Sequence, residues 1–337
     1  MGYKTKNVNT INPNASTSFN NIIVNRHVKN EVASASAGGN LQGSTYGFVG
    51  GGYGYPPWPS VKNDIDRFPF AISSGSASSI GTMTVYALGR SSSMSPSEGF
   101  AAGGFPPYSS SSHVNVIDKF PLSASPVTST DVGDLQIRLG RSGGHSSETH
   151  GYNTGGAQPF PTGTNYIQKY PFSAPGNASD VANLYSSTFA HSSSSSTTHG
   201  YAAGGDYSPY PSRRIISKFP FAADDNGTYV GDLVQYFYYT CGGEQSTTHG
   251  YASGHDFYSN SINKFAFASD APATDVGNLA VSSSLTAGCS STTDGYVCGS
   301  WPNNRNNIQK YPFASDTNAT DIADLSKSRG DAHGHHV

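Results

Sequence analysis

Few residues of this 337-residue chain have types suited to chemistry, and most recur in a repeated setting. His150, His199 and His249 each stand in a Thr-His-Gly phrase, one repeat apart. Neutral imidazoles bind zinc, but the metal needs its ligands ~2.0–2.1 Å from a single ion. Equivalent places in successive repeats of a ring are held apart, so these histidines read as turn residues bonded within their own hairpins. His333, His335 and His336 form a second group, which reads as a loose tail able to pick up adventitious metal. Cys241, Cys289 and Cys298 have neither metal-ligand spacing nor the even count of a disulfide framework. Cys289 and Cys298 would approach across one hairpin, and read as small buried residues. Arg90 and Arg141 hold near-equivalent places and would line a central channel, in contact with solvent or an anion. Serines are so numerous that a Ser-His-Asp order carries no information. No catalytic, metal or cofactor site is expected, and the chain is read as a non-enzyme.

The more telling residues are aromatic and lie in one kind of loop. They are Tyr53, Tyr55 and Trp58 in GYGYPPWPS, Phe105 and Tyr108 in FPPYSS, and Phe160 in AQPFPTG. Tyr207 and Tyr210 follow in DYSPYPS, Phe257 and Tyr258 in HDFYSNS, and Trp301 in SWPNNRN. Flat rings with a polar edge suit sugar faces and protein partners alike. The aromatic character persists while its offset drifts, which fits a contact surface assembled from several loops. The competing use of the same rings is to fold back and cap the gaps between structural units.

The elements that position these loops repeat six times. One phrase reads GFVGGG from Gly47, GFAAGG from Gly99, GYNTGG from Gly151, GYAAGG from Gly200, GYASGH from Gly250 and GYVCGS from Gly295. A second reads IDRFPF from Ile65, IDKFPL from Ile117, IQKYPF from Ile167, ISKFPF from Ile216, INKFAF from Ile262 and IQKYPF from Ile308. A third reads DVGDL from Asp131, with counterparts from Asp180, Tyr229, Asp275 and Asp321 and a decayed copy from Ser79. A serine-rich run completes each unit. Alternation in IDRFPF puts Ile65 and Phe68 on opposite faces, as a strand sandwiched between two sheets requires. Its proline cannot donate to a ladder, so it belongs at the strand end. The glycine pair permits positive φ and close approach of neighbouring sheets. Four strands in each ~50-residue unit predict an all-β, six-bladed β-propeller.

Composition agrees. Charged residues are only 12% of the chain, against an ordinary ~25%. Glycine, serine and aromatics replace them, poor helix material and good strand and turn material. A net charge of −3 without any basic stripe speaks against nucleic acid. The absence of a long apolar run speaks against a membrane helix, and the first residues lack a secretory signal's apolar core. The expected domains are an N-terminal arm over 1–30 with a closing strand near Asn21–Val28, a propeller over 31–326, and a C-terminal tail over 327–337. The first blade is expected to own its inner strand near Ala33–Leu41, so that six blades close without borrowing.

The repeat resembles kelch: an apolar strand ending in Gly-Gly, a variable loop, then a strand with an aromatic near its end. The usual tryptophan is replaced by Phe70, Leu122, Phe172, Phe221, Phe267 and Phe313. The wording SSxTHGYxxGG … IxKFPFA … ATDVGDL is also similar to repeats in virion proteins of marine tailed bacteriophages. That resemblance implies a non-enzymatic structural or adhesive component of a phage particle, such as a tail fibre, made in the host cytoplasm. It would dock other virion proteins through the N-terminal arm, bind a host-surface glycan or a neighbouring particle protein through the aromatic loops, and act within a larger or homo-oligomeric assembly. The alternatives are a cellular kelch-type interaction scaffold and a propeller enzyme acting on glycans.

Overall fold

The structure is a computed structural model and describes residues 42–54, 60–106, 113–206, 213–237, 239, 242–255, 259–301 and 305–337. Six blades of four antiparallel strands form a β-propeller, the sheet of the first extended by the short parallel strand Val127–Thr128, with no α-helix among the described residues. Blade 4 shows the plan, with strands Ser192–Ser195, His199–Ala203, Ile215–Pro220 and Thr228–Asp232 from the axis outward. In its third strand Ile216, Ser217 and Phe219 are all buried, although they point to both faces. A sheet covered on both sides by neighbours demands this. The strand stops at Pro220, as the corresponding strands stop at Pro69, Pro121, Pro171 and Pro312.

Each phrase of the repeat turns out to make a contact between blades. The Tyr201 ring stacks on Phe267 of the next blade at 4.7 Å, and its hydroxyl donates to the Phe267 carbonyl. Tyr152 with Phe221, Tyr251 with Phe313 and Tyr296 with Phe70 repeat the arrangement at 4.9–5.0 Å. The phenylalanine that ends the IxKFPF phrase is thus the stacking partner of the preceding blade. Further out, the Ala178, Ala273 and Ala319 N–H groups donate to the outer strands of the preceding blades, at Asp134, Asp232 and Asn278. These bonds cover outer edges that would otherwise offer unpaired backbone. At three successive seams Lys169, Lys218 and Lys264 pair with Asp224, Asp270 and Asp316 of the next blade.

The ring closes differently from the expectation. His333–His336 is the inner strand of blade 1, antiparallel to Tyr46–Gly50 with Phe48 opposite His335. Residues 327–337 are therefore not a tail, and blade 1 borrows a strand from the far end of the chain. His333, His335 and His336 are buried. The reason is geometric. Gly334 sits where Gly144, Gly243 and Gly288 sit in other inner strands, so close to Gly288 that a Cβ would overlap its carbonyl. Arg329 anchors the lead-in. Fully buried, it pairs with Asp64 at 2.5 Å and Asp66 at 3.2 Å in the third strand of blade 1. The expected arm, the strand near Asn21–Val28 and the inner strand near Ala33–Leu41 lie outside the described residues.

Candidate functional site

The loops between second and third strands, and the connections from each outer strand to the next inner strand, emerge at the same end of the ring. At the centre of this loop face lies a ring of six residues with positive φ, one before each inner strand: Gly89, Arg141, Ala190, Tyr239, Leu285 and Asp331, at 50° to 63°. Left-handed backbone costs a non-glycine residue ~1–2 kcal/mol, and the return is visible. Gly89 N–H donates to the Asp331 carbonyl, Asp331 to Leu285, Leu285 to Tyr239, Ala190 to Arg141 and Arg141 to Gly89, at 2.6–2.8 Å. The twist turns each N–H toward the neighbouring blade, and the linked backbone draws the blades together around the axis.

Arg141 lies over this ring. Its guanidinium bonds to Asp331 at 2.8 Å and stands 5.4–5.8 Å from the rings of Phe105, Phe160 and Tyr239. Phe189 joins the cap through edge contacts with Phe160 and Tyr239. Four aromatic loop residues from the sequence reading are described. Tyr53 and Phe105 are buried, while Phe160 and Trp301 are half-buried. Phe105 touches Phe160, and Tyr53 touches Trp301. Tyr53, Phe105 and Trp301 also share one structural place: each bridges the segment that leads into the inner strand of its own blade, opposite Gly330, Leu88 and Ser284. For these three the offset does not drift. Tyr55, Trp58, Tyr108, Tyr207, Tyr210, Phe257 and Tyr258 lie outside the described residues.

Tyr86, Val234 and Tyr236 stand exposed on the connections between blades, and Tyr185 stands exposed on the outer strand of blade 3, Ser179–Thr188. Tyr185 contacts exposed Tyr229 of blade 4, and the Arg214 guanidinium lies over Tyr236. The sequence reading missed these side chains. Their signal was an aromatic or apolar residue in the tail of the third phrase, in TVYALGR, NLYSS and LVQYFYY, where other repeats carry Arg138, Ser282 or Ser328.

The other candidates have structural surroundings. His150, His199 and His249 each bond through Nδ1 to the hydroxyl of the preceding threonine at 2.8 Å, in turns held by Ser147, Ser196 and Ser246. Arg90 and Arg141 are not equivalent, because Arg141 occupies the positive-φ place and Arg90 follows Gly89. Arg90 is buried and pairs with Asp118 at 2.5 Å. Cys289 and Cys298 are free and buried. Burial pushes Glu244 up to about 8, although Ser253 and Tyr311 hydroxyls donate to it. No group of three His, Cys, Asp or Glu side chains among the described residues is arranged to hold a metal ion.

The molecule is a six-bladed β-propeller, and such a fold suits a binding or protein-interaction role. Neither a family model nor any curated protein matches this sequence. No described helix is long and apolar enough to cross a membrane.

Proposed function

We propose that this propeller is a non-enzymatic binding component of a bacteriophage particle, with the loop face as its contact surface. One observation carries the binding reading. The repeats bury their aromatic rings between blades, yet Tyr86, Tyr185 and Tyr236 on the loop face are each more than half exposed. Tyrosine beside arginine is the composition of interface hot spots. The polar phrases of the repeat are used in blade-to-blade bonds and the central loop-face rings in the axial cap, which leaves the exposed tyrosines around it without a role in the scaffold. The virion assignment rests on the wording of the repeat alone, which is similar to that of marine phage proteins. In this reading the partner is a host-surface glycan or a neighbouring particle protein, and residues 1–30 dock the propeller to the particle. Fractionated particles probed for this chain test the location; its absence from purified particles would overturn the virion assignment and leave a cellular interaction scaffold. Adhesion of the purified chain to host cells, with and without Tyr86→Ser and Tyr236→Ser, tests the surface.

A further inference from the structure

The ring encloses an axial cavity of about 40 Å³, room for about three waters. All six inner strands contribute to its wall, which includes Arg90, His145, Ser193, Gln245 and His333. Serine and glycine fill most of the rest, and none of the lining side chains is a carboxylate. Buried there without a partner are Nε of Arg90, Oγ of Ser193 and both ring nitrogens of His333. Such atoms are nearly always bonded in folded proteins. Arg90 spends its other nitrogens on Asp118 and on the carbonyls of Ala101 and Val116, and its Nε can only donate. The Ser193 hydroxyl and the ring N–H of His333 are further donors.

The electrostatics point the same way. His333 is held well below the usual histidine range by burial first, then by the charges of His335, Arg90 and Arg329. Two guanidinium groups therefore act on this part of the axis. Their own counter-charges, Asp118 for Arg90 and Asp64 and Asp66 for Arg329, stand on third strands outside the lining. Other elements packed around His333 bring Cys289 from blade 6 and the Arg141–Asp331 pair from the lead-in segments, while Gly47–Gly50 beside it brings no ionisable side chain. Across the axis, His145 is itself pushed down to about 4 by burial. Water can satisfy the donors; an anion can accept from all of them and also faces the two guanidinium groups from the side away from their carboxylates.

We propose that the axial cavity is a binding site for a small inorganic anion of halide size. Donor side chains from blades 1, 2 and 4 meet there, so the bound anion would tie the borrowed strand to the rest of the ring. An anion beside His333 favours its protonated ring, so binding takes up a proton, and the apparent affinity should rise by up to tenfold per pH unit as the solution is acidified.

Bromide serves as the probe. Crystals of the full chain grown in sodium bromide should show an anomalous scattering peak on the axis, within hydrogen-bond reach of Arg90 Nε. In solution, sodium bromide should raise the melting temperature above that in sodium gluconate at equal ionic strength, and by more at pH 5.5 than at pH 8. His333→Gln should remove that pH dependence. Water density alone on the axis overturns the proposal, as does a bromide peak without stabilisation, which would mark an adventitious ion only. The diffraction test uses the unaltered chain, so it does not depend on the variant folding.

Discussion

Arg141 and Asp331 bond at 2.8 Å across 190 residues of sequence. One precedes the inner strand of blade 3 and the other the borrowed strand of blade 1, so this pair fastens the closing segment to a blade that is not its neighbour. The Asp331 side chain is fully buried, and removing one member of a buried pair leaves the other without its counter-charge. Asp331→Asn tolerates the positive φ but loses the charge, and should lower stability to urea by about 2–4 kcal/mol. A double-mutant cycle with Arg141→Met should show coupling well above 0.5 kcal/mol; additive losses would show that the pair does not hold the seam.

The glycine pairs should be intolerant for steric reasons. Gly204 has φ 70°, and a Cβ there would stand 2.7 Å from Cβ of Phe237; at Gly103 it would stand 2.5 Å from the Leu139 carbonyl oxygen. Both conformation and space oppose a side chain. Gly204→Val and Gly103→Val should each destabilise by at least ~1–3 kcal/mol. Thermal melts check this, and a normal melting temperature in either variant would contradict it.

Acid and alkali should act on different buried groups. Burial pushes Glu244 up to about 8, so its contribution is full below the unfolded value near 4.5 and is lost as pH rises toward 8. Burial pushes His335 and His145 down to about 4 and His191 to about 3. Their contribution is full above 6.5 and is lost as pH falls toward those values. From pH 8 to 6.5 acidification should therefore stabilise through Glu244, by ~1.4 kcal/mol per unit at most. Below 6.5 the histidines outnumber it, so stability should peak near neutral pH. Urea melts at pH 5, 6.5 and 8 test this. Glu244→Gln should be more stable than the parent at pH 8 and flat between pH 6.5 and 8; a variant that keeps the parental drop would assign the effect elsewhere.

The ring was legible in the sequence because every blade makes the same contacts and so repeats the same residues. Tyr201 and Phe267 recur because five of the six seams pack such an aromatic pair, the sixth carrying Leu122. Closure was not legible, because it happens once. The segment SRGDAHGHHV matches LGRSGGHSS at Gly330 with Gly140 and at Gly334-His335 with Gly144-His145, but its cluster of histidines reads as a loose tail. Arg329 had no counterpart to flag it. The aromatic loops were half legible. Tyr53 and Phe105 are aromatic because they cap the axis, a use that sequence cannot distinguish from display. Tyr86 and Tyr236 were passed over because they follow a strand phrase and sit outside those loops.

Adhesion and stability measured together on one variant test the binding surface most directly. Tyr86 and Tyr236 are 54% and 51% exposed, so Tyr86→Ser with Tyr236→Ser should leave the melting temperature nearly unchanged. Binding to host cells or to purified particle proteins should fall, by ~2 kcal/mol or more for each true hot spot. A folded double variant that binds as tightly as the parent would contradict the assignment of this face as the contact surface.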